Sequence, residues 1–267
     1  MNISVEQMLA GKLILVTGAG DGIGKAAART YAQAGATVIL LGRTQSKLEA
    51  LYDDIVAQGW PEPIIHPMDF ATASADDFTL LGDTLLKQFG TLHGLLHNAS
   101  VLGTLGPLQF TAPESWHKIM QINVNAMFML TRAVLPAMQQ ADDARILLTS
   151  SSVGRQGRAY WGAYAVSKFA TEGFMQVLAE EVENTTRIRV NSINPGATRT
   201  EMRRSAYPAE DPNTLPTPES LMPAYLYLML PTSQSLHGQA LDIRTLVDDP
   251  ACQTLAAALD TGSHGGS

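Results

Sequence analysis

Residues 13–24 read Leu-Ile-Leu-Val-Thr-Gly-Ala-Gly-Asp-Gly-Ile-Gly, an apolar run that leads directly into a glycine-rich turn. The four apolar residues at its start are typical of a strand that is covered on both faces of a sheet. A helical pattern begins at Ile23 and continues to Ala34. An ordinary turn between a strand and a helix needs only one glycine with positive φ, whereas this turn has four glycines in seven residues. Strand, glycine turn and helix in this order predict a site where backbone N–H groups and the helix N-terminus bind a pyrophosphate.

The remainder of the chain alternates between the same two kinds of segment. Strand-like runs fall near residues 13–17, 37–41, 64–68, 92–97, 145–149, 187–193 and 239–243. Helical patterns fall between them, near residues 23–34, 46–58, 76–89, 115–138, 164–183 and 218–230. This alternation predicts an α/β fold, a single-domain Rossmann fold with a doubly wound seven-stranded parallel sheet flanked by helices on both faces. Such a sheet binds its ligand at the carboxyl ends of its strands.

Length and composition fit one large α/β domain. The chain has 267 residues, 45% of them hydrophobic, and no Pro/Gly/Ser-rich linker interrupts residues 10–243. We expect an N-terminal extension at 1–10, the domain at 11–245 and a small, polar, partly disordered tail at 246–267. Between Thr200 and Thr217, three prolines and three acidic residues predict a non-helical substrate loop that stays mobile until its ligands bind.

Charge and residue usage exclude several classes of function. A net charge of −7 and a pI near 5.3 disfavour binding to nucleic acid, which needs a basic surface. The six histidines lack the spacing of metal ligands, so we expect no metal. A single cysteine, Cys252, excludes an intramolecular disulfide. No apolar run approaches the ~20 residues of a membrane span, and residues 1–11 lack a signal-peptide pattern, so we expect a soluble cytoplasmic protein with no membrane partner.

A second motif, Tyr164-x-x-x-Lys168, follows a serine cluster at 150–152. On a helix, residues four apart lie on one face with their side chains in reach of each other. A phenol titrates near ~10, and a neighbouring ammonium lowers this pKa because it favours the phenolate. The pair is therefore suited to exchanging a proton with a carbinol or carbonyl oxygen. Most Tyr–Lys pairs at this spacing only pack together, so the chemical interpretation depends on the glycine turn upstream.

Taken together, Thr17-Gly18-x-x-x-Gly22-x-Gly24 and Tyr164-x-x-x-Lys168 resemble the motifs of the short-chain dehydrogenases/reductases. The resemblance extends from about residue 12 to residue 243, and residues 150–158 are similar to the YciK family of bacterial oxidoreductases. It implies an enzyme that transfers a hydride between a nicotinamide cofactor and a small-molecule carbonyl or alcohol. The alternative function is a non-catalytic dinucleotide-binding sensor or scaffold with the same fold.

The resemblance also implies roles for four catalytic residues. Ser151 lies thirteen residues before Tyr164, as in the family, and would hydrogen-bond the substrate oxygen. Tyr164 would give a proton to that oxygen during reduction or remove it during oxidation. Lys168 would lower the Tyr164 pKa and bind the nicotinamide ribose, and Asn123 would hold a water in line with Lys168. A degenerate set would favour the sensor or scaffold, but all four residues are present.

Cofactor-binding residues follow from the same resemblance. They are expected in the glycine turn, after later strands and in the catalytic helix: Gly18, Gly20, Asp21, Gly22, Ile23, Gly24, Arg43, Asp69, Asn98, Ala99, Tyr164, Lys168, Pro195, Gly196, Thr198 and Thr200. Asp69 would contact the adenine, and the Pro195–Thr200 segment the nicotinamide amide and phosphates. His97 and Ser100 replace the outer residues of the family's N-N-A-G. We assign His97 to packing at a strand end and give it no catalytic role.

The end of the second predicted strand indicates which nicotinamide is bound. An NAD-specific site places an acid there to hold the ribose 2′-hydroxyl. Residues 42–44 read Gly-Arg-Thr, without an acid, and the Arg43 guanidinium suits a 2′-phosphate. Arg43 on its own could equally be a surface cation, but the missing acid is independent evidence. We expect NADP(H) to be preferred, with NAD(H) as the alternative cofactor.

Two arginines, Arg155 and Arg158, lie between Ser151 and Tyr164, and Trp161 follows them. One hypothesis is that Arg158, or both arginines, pairs with a carboxylate or phosphate on the substrate while Trp161 stacks against it. The other is that both are surface or interface cations. Family analogy also predicts a homodimer or homotetramer formed through the helices at 115–138 and 164–183.

Overall fold

Seven parallel strands form one sheet in the computed structural model, which describes residues 4–262. The strands are β1 (Leu13–Thr17), β2 (Thr37–Gly42), β3 (Ile64–Pro67), β4 (Gly94–His97), β5 (Ala144–Thr149), β6 (Ile188–Asn194) and β7 (Gln239–Asp242). Their order across the sheet is β3-β2-β1-β4-β5-β6-β7. The winding direction reverses between β1 and β4, and a ligand crevice opens at such a point beyond the carboxyl ends of the strands.

Helices cover both faces of this sheet, which confirms the predicted fold class. They are α1 (Gly22–Gln33), α2 (Gln45–Ala57), α3 (Ala75–Phe89), α4 (Pro113–Met120), α5 (Ala126–Gln139), α6 (Gly162–Val182), α7 (Glu201–Ala206), α8 (Met222–Met229), α9 (Ile243–Leu246) and α10 (Pro250–Gly262). One buried cluster joins α1, α2, α8 and α10 to the sheet, and a second joins α3, α5 and α6 to it.

Alternation along β1 shows how the two layers are divided. Ile14 and Val16 pack into the cluster with α1, whereas Leu13 and Leu15 pack into the cluster with α3. Successive side chains of a strand point to opposite faces, and both faces of this strand are covered. A strand buried on both sides must be apolar at every position, which explains the unbroken apolar run at 13–16.

One predicted helix is interrupted at its centre. The pattern at 115–138 gives α4 and α5, joined by a π-helical turn over Gln121–Asn125. The π turn adds a residue to the helical repeat, and such turns are frequent at functional sites. Here the turn contains Asn123, so the interruption positions one of the predicted catalytic residues.

The expectation that residues 200–217 form no helix was wrong, and part of the predicted tail is helical. Residues 201–206 of the predicted loop form α7, because the Thr200 side chain caps the helix by accepting from Arg203 N at 3.2 Å and the first proline comes only at Pro208. The predicted tail forms α10 over residues 250–262, where Cys252 and Leu255 are buried against the α8 layer. Met1–Ile3 and the end of the predicted tail at 263–267 lie outside the described residues.

The N-terminal extension packs onto the domain. Val5 and Leu9 are buried in the α1 cluster, and Leu9 N donates to Ala34 O at 2.7 Å. Among residues 4–262, no helix is both long and apolar enough to cross a membrane.

Candidate active site

The glycine turn between β1 and α1 brings its backbone unusually close to neighbouring groups. Gly18 and Gly22 have φ of +67° and +51°, which side chains rarely allow. A Cβ on Gly24 would lie 2.2 Å from Gly18 O and 2.6 Å from Asn98 Nδ2. Asp21 caps α1 by accepting from Gly22 N at 2.8 Å. The turn therefore exposes backbone N–H groups where a side chain would otherwise stand.

Thr17 ties this turn to the end of β4. Its Oγ1 accepts hydrogen bonds from Asn98 N at 2.9 Å and Ala99 N at 3.0 Å, and donates to Leu96 O at 3.3 Å. Asn98 Oδ1 in turn accepts from Thr149 Oγ1 at 3.4 Å. The carboxyl ends of β1, β4 and β5 are thus held together by side chains of the predicted site.

A cleft of about 510 Å³ runs along these strand ends. It is lined by the predicted cofactor and catalytic residues Gly18, Gly20, Asp21, Gly22, Ile23, Arg43, Asp69, Asn98, Ala99, Ser151, Tyr164, Lys168, Pro195, Gly196, Thr198 and Thr200, and by Trp161. Gly24 packs beneath the turn and Asn123 lies behind the cleft. The oxygen atoms Ser100 Oγ and Ser150 Oγ are buried in this lining without a hydrogen-bond partner in the described part of the chain.

The sequence did not indicate several residues of this lining. Lys47, Leu102, Met202 and Ala206 all face the cleft. Met202 and Ala206 were missed because α7 was expected to be a loop, and four-residue spacing on a helix would have indicated a common face. Leu102 and Lys47 carried no signal beyond their proximity to predicted site residues.

Tyr164 and Lys168 lie on the first turns of α6, nearly buried at 7% and 5% exposure. Lys168 Nζ donates to Thr149 O at 2.8 Å and lies 5.5 Å from the centroid of the Tyr164 ring. Ser151 lies at the start of the turn after β5. The three groups predicted to handle the substrate oxygen therefore meet at the inner wall of one cleft.

Burial controls the protonation of this pair. It raises the Tyr164 pKa to about 12, and a hydrogen bond with the Ser151 side chain opposes the shift. It lowers the Lys168 pKa to about 8, and the Glu172 carboxylate opposes that shift. Desolvation of the phenolate is the larger of these two effects on the Tyr164 pKa, and the lowering of that pKa by Lys168 stays a prediction. Tyr164 is a protonated donor at neutral pH.

Asn123 clamps the loop that follows β4. Its Oδ1 accepts from Val101 N at 2.9 Å, and its Nδ2 donates to Val101 O and Ser167 Oγ, each at 3.0 Å. A cavity of about 10 Å³ between Asn123 and Lys168 is close to the volume that one water needs. This placement is compatible with the predicted water beside Lys168.

His97 borders the same cavity and is held in one tautomer. Its Nε2 lies 2.8 Å from Thr131 Oγ1, and Thr131 Oγ1 donates to Met127 O at 2.8 Å. Because the Thr131 proton is already used, Nε2 of His97 must carry the shared proton. Burial, with the charge of Lys168, lowers the His97 pKa to about 3, so the ring is neutral.

The structure separates the two arginines that the sequence grouped together. Arg155 binds other parts of the protein, since its Nε pairs with Glu172 Oε1 at 3.0 Å and its Nη2 donates to Leu241 O at 2.7 Å. Arg158 is exposed outside the cleft lining, beside the cleft-lining Trp161, and its Nη1 donates to Tyr207 Oη at 2.8 Å.

At the other end of the cleft, Arg43 is exposed directly after β2. Lys47 on α2 forms an ion pair with Asp21 of the glycine turn. The Asp21 pKa is lowered, chiefly by this hydrogen bond from Lys47. Two cations therefore flank the position where an NAD-specific site would have an acid.

A family model described as short chain dehydrogenase matches residues 12–211. The chain belongs to the short-chain dehydrogenase family. It is 49% identical over 237 residues to the uncharacterized oxidoreductase YciK of Escherichia coli strain K12, which covers 89% of this chain and 93% of that protein. The predicted resemblance to the YciK oxidoreductases is confirmed.

Solved structures of short-chain dehydrogenases superpose closely on this chain. An oxidoreductase, YciK from E. coli, superposes with a TM-score of 0.87 at 48% identity, covering 91% of this chain and all 100% of that one. A short chain dehydrogenase structure from E. coli CFT073, complexed with NADPH, gives a TM-score of 0.86 at 50% identity over 90% of this chain and 99% of that one.

Membership of this family makes the protein an oxidoreductase whose cofactor is a nicotinamide dinucleotide, and the residues present fit that group. Side chains at Gly18, Gly22 and Gly24 would fill or strain the cradle, and α1 begins at its edge. The unpartnered Ser100 and Ser150 hydroxyls offer further hydrogen bonds in the lining.

Proposed function

We propose that the protein is an NADP(H)-dependent carbonyl/alcohol oxidoreductase with Tyr164 as its general acid/base. The observation that carries the proposal is the meeting of Ser151, Tyr164 and Lys168 in the cleft that the glycine turn opens. The bound nicotinamide supplies the hydride for reduction or accepts it in oxidation. The protein's part is to orient the substrate oxygen and to move one proton.

Each of the three residues has a step that its surroundings support. The Ser151 hydroxyl hydrogen-bonds the substrate oxygen and fixes its direction. Tyr164 donates its hydroxyl proton to that oxygen during reduction, since burial keeps the phenol protonated at neutral pH. Lys168, held by Thr149 O at 2.8 Å, stabilises the negative charge that develops on Tyr164.

Asn123 acts behind these groups. Its side chain is fully used in holding Val101 and Ser167. We assign it the task of keeping the wall of the water-sized cavity beside Lys168 in place, so that a proton lost from Tyr164 is replaced through Lys168. It is a positioning residue in this scheme.

The cofactor preference rests on Arg43. The β2 end lacks an acid that would repel a 2′-phosphate, and the exposed Arg43 guanidinium is free for bidentate hydrogen bonds to it. Similar proteins from Shigella flexneri and E. coli were crystallised with NADP and NADPH, respectively. Arg43→Ala should weaken NADP⁺ binding roughly tenfold or more while leaving NAD⁺ binding nearly unchanged, whereas the surface variant Arg187→Ala should affect neither.

Tyr164→Phe tests the catalytic proposal. Oxidation of NADPH and NADH would be followed across ketones, aldehydes, quinones and 3-oxoacyl thioesters. Wild-type turnover that prefers NADPH and falls at least a hundredfold in Tyr164→Phe, but not in Tyr227→Phe, is the expected result. Tight NADPH binding with no turnover on any substrate would instead favour the sensor or scaffold function.

We also propose that the protein self-associates through α5 and α6. Phe128 on α5 and Phe169 and Val177 on α6 are 52%, 46% and 59% exposed. Large apolar side chains at such exposure favour an interface.

A further inference from the structure

Beyond Tyr164, the cleft continues into an apolar region. Leu102, Tyr164 and Ala165 form a small buried cluster there, and Trp161 and Met202 pack against it. Trp161, Met202 and Leu102 also line the cleft. The part of a substrate that extends from the reacting oxygen in this direction therefore meets an apolar surface.

Arg158 and Tyr207 form a cationic and aromatic rim beside this apolar region, outside the residues that line the cleft. The Arg158 guanidinium carbon lies 5.8 Å from the Trp161 ring centroid and 6.0 Å from that of Tyr207. Trp161 in turn lies 5.9 Å from Tyr164, ring to ring. Two successive contacts thus connect the guanidinium to the catalytic phenol. Aromatic faces attract a guanidinium through its charge but carry no net charge of their own, so they hold it in place without neutralising it.

The charge of Arg158 is not neutralised, unlike that of its neighbours. Arg155 pairs with Glu172 at 3.0 Å, and Arg203 binds Glu210 through two hydrogen bonds of 2.6 Å. Within the described part of the chain, Arg158 forms no ion pair with a carboxylate, and its hydrogen bond to Tyr207 uses only Nη1. The guanidinium keeps donors free for an external anion.

Backbone strain supports a fixed arrangement of this rim. Tyr160, between Arg158 and Trp161, has a φ of +73°, a conformation that costs a non-glycine residue free energy. A hydrogen bond from Gly106 N to Tyr160 O at 2.8 Å holds this strained residue in place. Strain retained beside a cleft is frequent at ligand-binding sites.

We propose that Arg158 binds an anionic group, a carboxylate or a phosphate monoester, at the far end of an apolar segment of the substrate. This inference rests on the proposed function in placing the reacting carbonyl at Tyr164. The substrate class is then an apolar carbonyl compound with a terminal anionic group. A neutral ketone of the same length would fill the apolar region and leave Arg158 without an anionic partner.

Ligand binding tests the anion site independently of turnover. The probes are octanoate, octyl phosphate and octanamide, titrated by calorimetry into the protein with and without saturating NADP⁺. We expect at least one anion to bind more tightly than octanamide. Arg158→Gln should weaken the binding of that anion roughly 10- to 100-fold without changing the binding of octanamide. The control is Arg204→Gln, an exposed arginine on α7 that pairs with Glu201 and should change nothing.

The two anionic probes identify which anionic group the substrate carries. If octanoate alone depends on Arg158, the substrate carries a carboxylate, and if octyl phosphate alone does, it carries a phosphate. If all three probes bind equally to the wild type, or if Arg158→Gln binds both anions as the wild type does, the inference is overturned.

A kinetic comparison separates this inference from the proposed function. A medium-chain keto acid and its methyl ester would be offered to the wild type and to Arg158→Gln. Equal kinetics of both proteins on the acid would refute the anion site while the reductase activity stands. Dependence of anion binding on Arg158 without turnover of either ketone would support the site and count against the reductase.

Discussion

Burial acts on Tyr164 and Lys168 in opposite directions, because desolvation disfavours whichever form of a group is charged. The Tyr164 pKa rises to about 12 and the Lys168 pKa falls to about 8. Because both pKa values lie above 7, the phenol keeps its proton and the ammonium keeps its charge at neutral pH. Sequence spacing predicted that these two residues meet, but it could not predict burial, which sets the sign of the Tyr164 shift.

The pH dependence of carbonyl reduction should follow Lys168. Its ammonium is charged below its pKa of about 8 and neutral above it, so stabilisation of the Tyr164 phenolate is lost as pH rises through that value. We expect kcat for reduction to fall with a midpoint near pH 8. Glu172→Gln removes the carboxylate that raises the Lys168 pKa, so it should move the midpoint to lower pH. A midpoint that is the same in both proteins would contradict this assignment.

His97 should make stability depend on pH. Its folded-state pKa of about 3 is below the unfolded value of 6.5. As the pH falls below 6.5, His97 takes up a proton in the unfolded chain but stays neutral in the folded chain. The contribution of His97 to the free energy of unfolding is therefore fully present above pH 6.5 and is lost progressively toward pH 3. The wild type should lose about 2 kcal/mol more free energy of unfolding than His97→Asn between pH 7 and pH 5, as measured by urea unfolding. Equal losses would show that the ring takes up its proton in the folded state.

At the scale of elements, the strands and long helices followed their sequence patterns closely, and short elements did not. The β5 pattern at 145–149 became Ala144–Thr149, because the apolar run at 146–148 is typical of a strand covered on both faces. By contrast, α7 depends on a single cap at Thr200, and α10 on a layer formed by α8 elsewhere in the chain. The π turn at Asn123 has no local signature in the sequence. Such features depend on packing between segments that are distant in the chain, which a local sequence pattern cannot predict.

The crossing of α3 and α5 depends on one glycine. A Cβ on Gly82 would lie 2.1 Å from Ala133 O of α5, a backbone atom that cannot move alone. Gly82→Ala should destabilise the protein by about 1–3 kcal/mol, because the two helices must separate. Gly157→Ala is the control for the added methyl group, since no heavy atom lies within 4 Å of its added Cβ. If both variants unfold at the same urea concentration, the close approach of the helices is refuted.

On the scale of the whole molecule, two helices, α3 and α6, each carry three of the exposed large apolar residues of the described chain. Val166, Phe169 and Val177 lie on one helix, α6, which also carries Tyr164 and Lys168 on its buried side. An interface formed by this helix would stiffen the element that holds the catalytic pair. Self-association would then affect the site without contributing a residue to it.

Phe169→Glu tests that interface. Light scattering coupled to gel filtration should give a wild-type mass above the 28.6 kDa of one chain, and Phe169→Glu should lower it by placing charges in an apolar contact. Leu80→Glu on α3 is the control, because Leu80 is also exposed, at 68%, but lies outside the proposed surface. A wild type that elutes as one chain would refute self-association.

The strand order has a consequence for how the protein is made. β1 pairs with β2 nearby in the chain, but its other edge pairs with β4, where Ile14 meets Gly94. During synthesis the ribosome must add some eighty residues before that edge can close, at a rate of about 5–20 residues per second. For several seconds the most apolar strand offers an unpaired edge, and an exposed strand edge is a template for aggregation. The nascent chain therefore carries this aggregation-prone edge until residue 94 has left the ribosome.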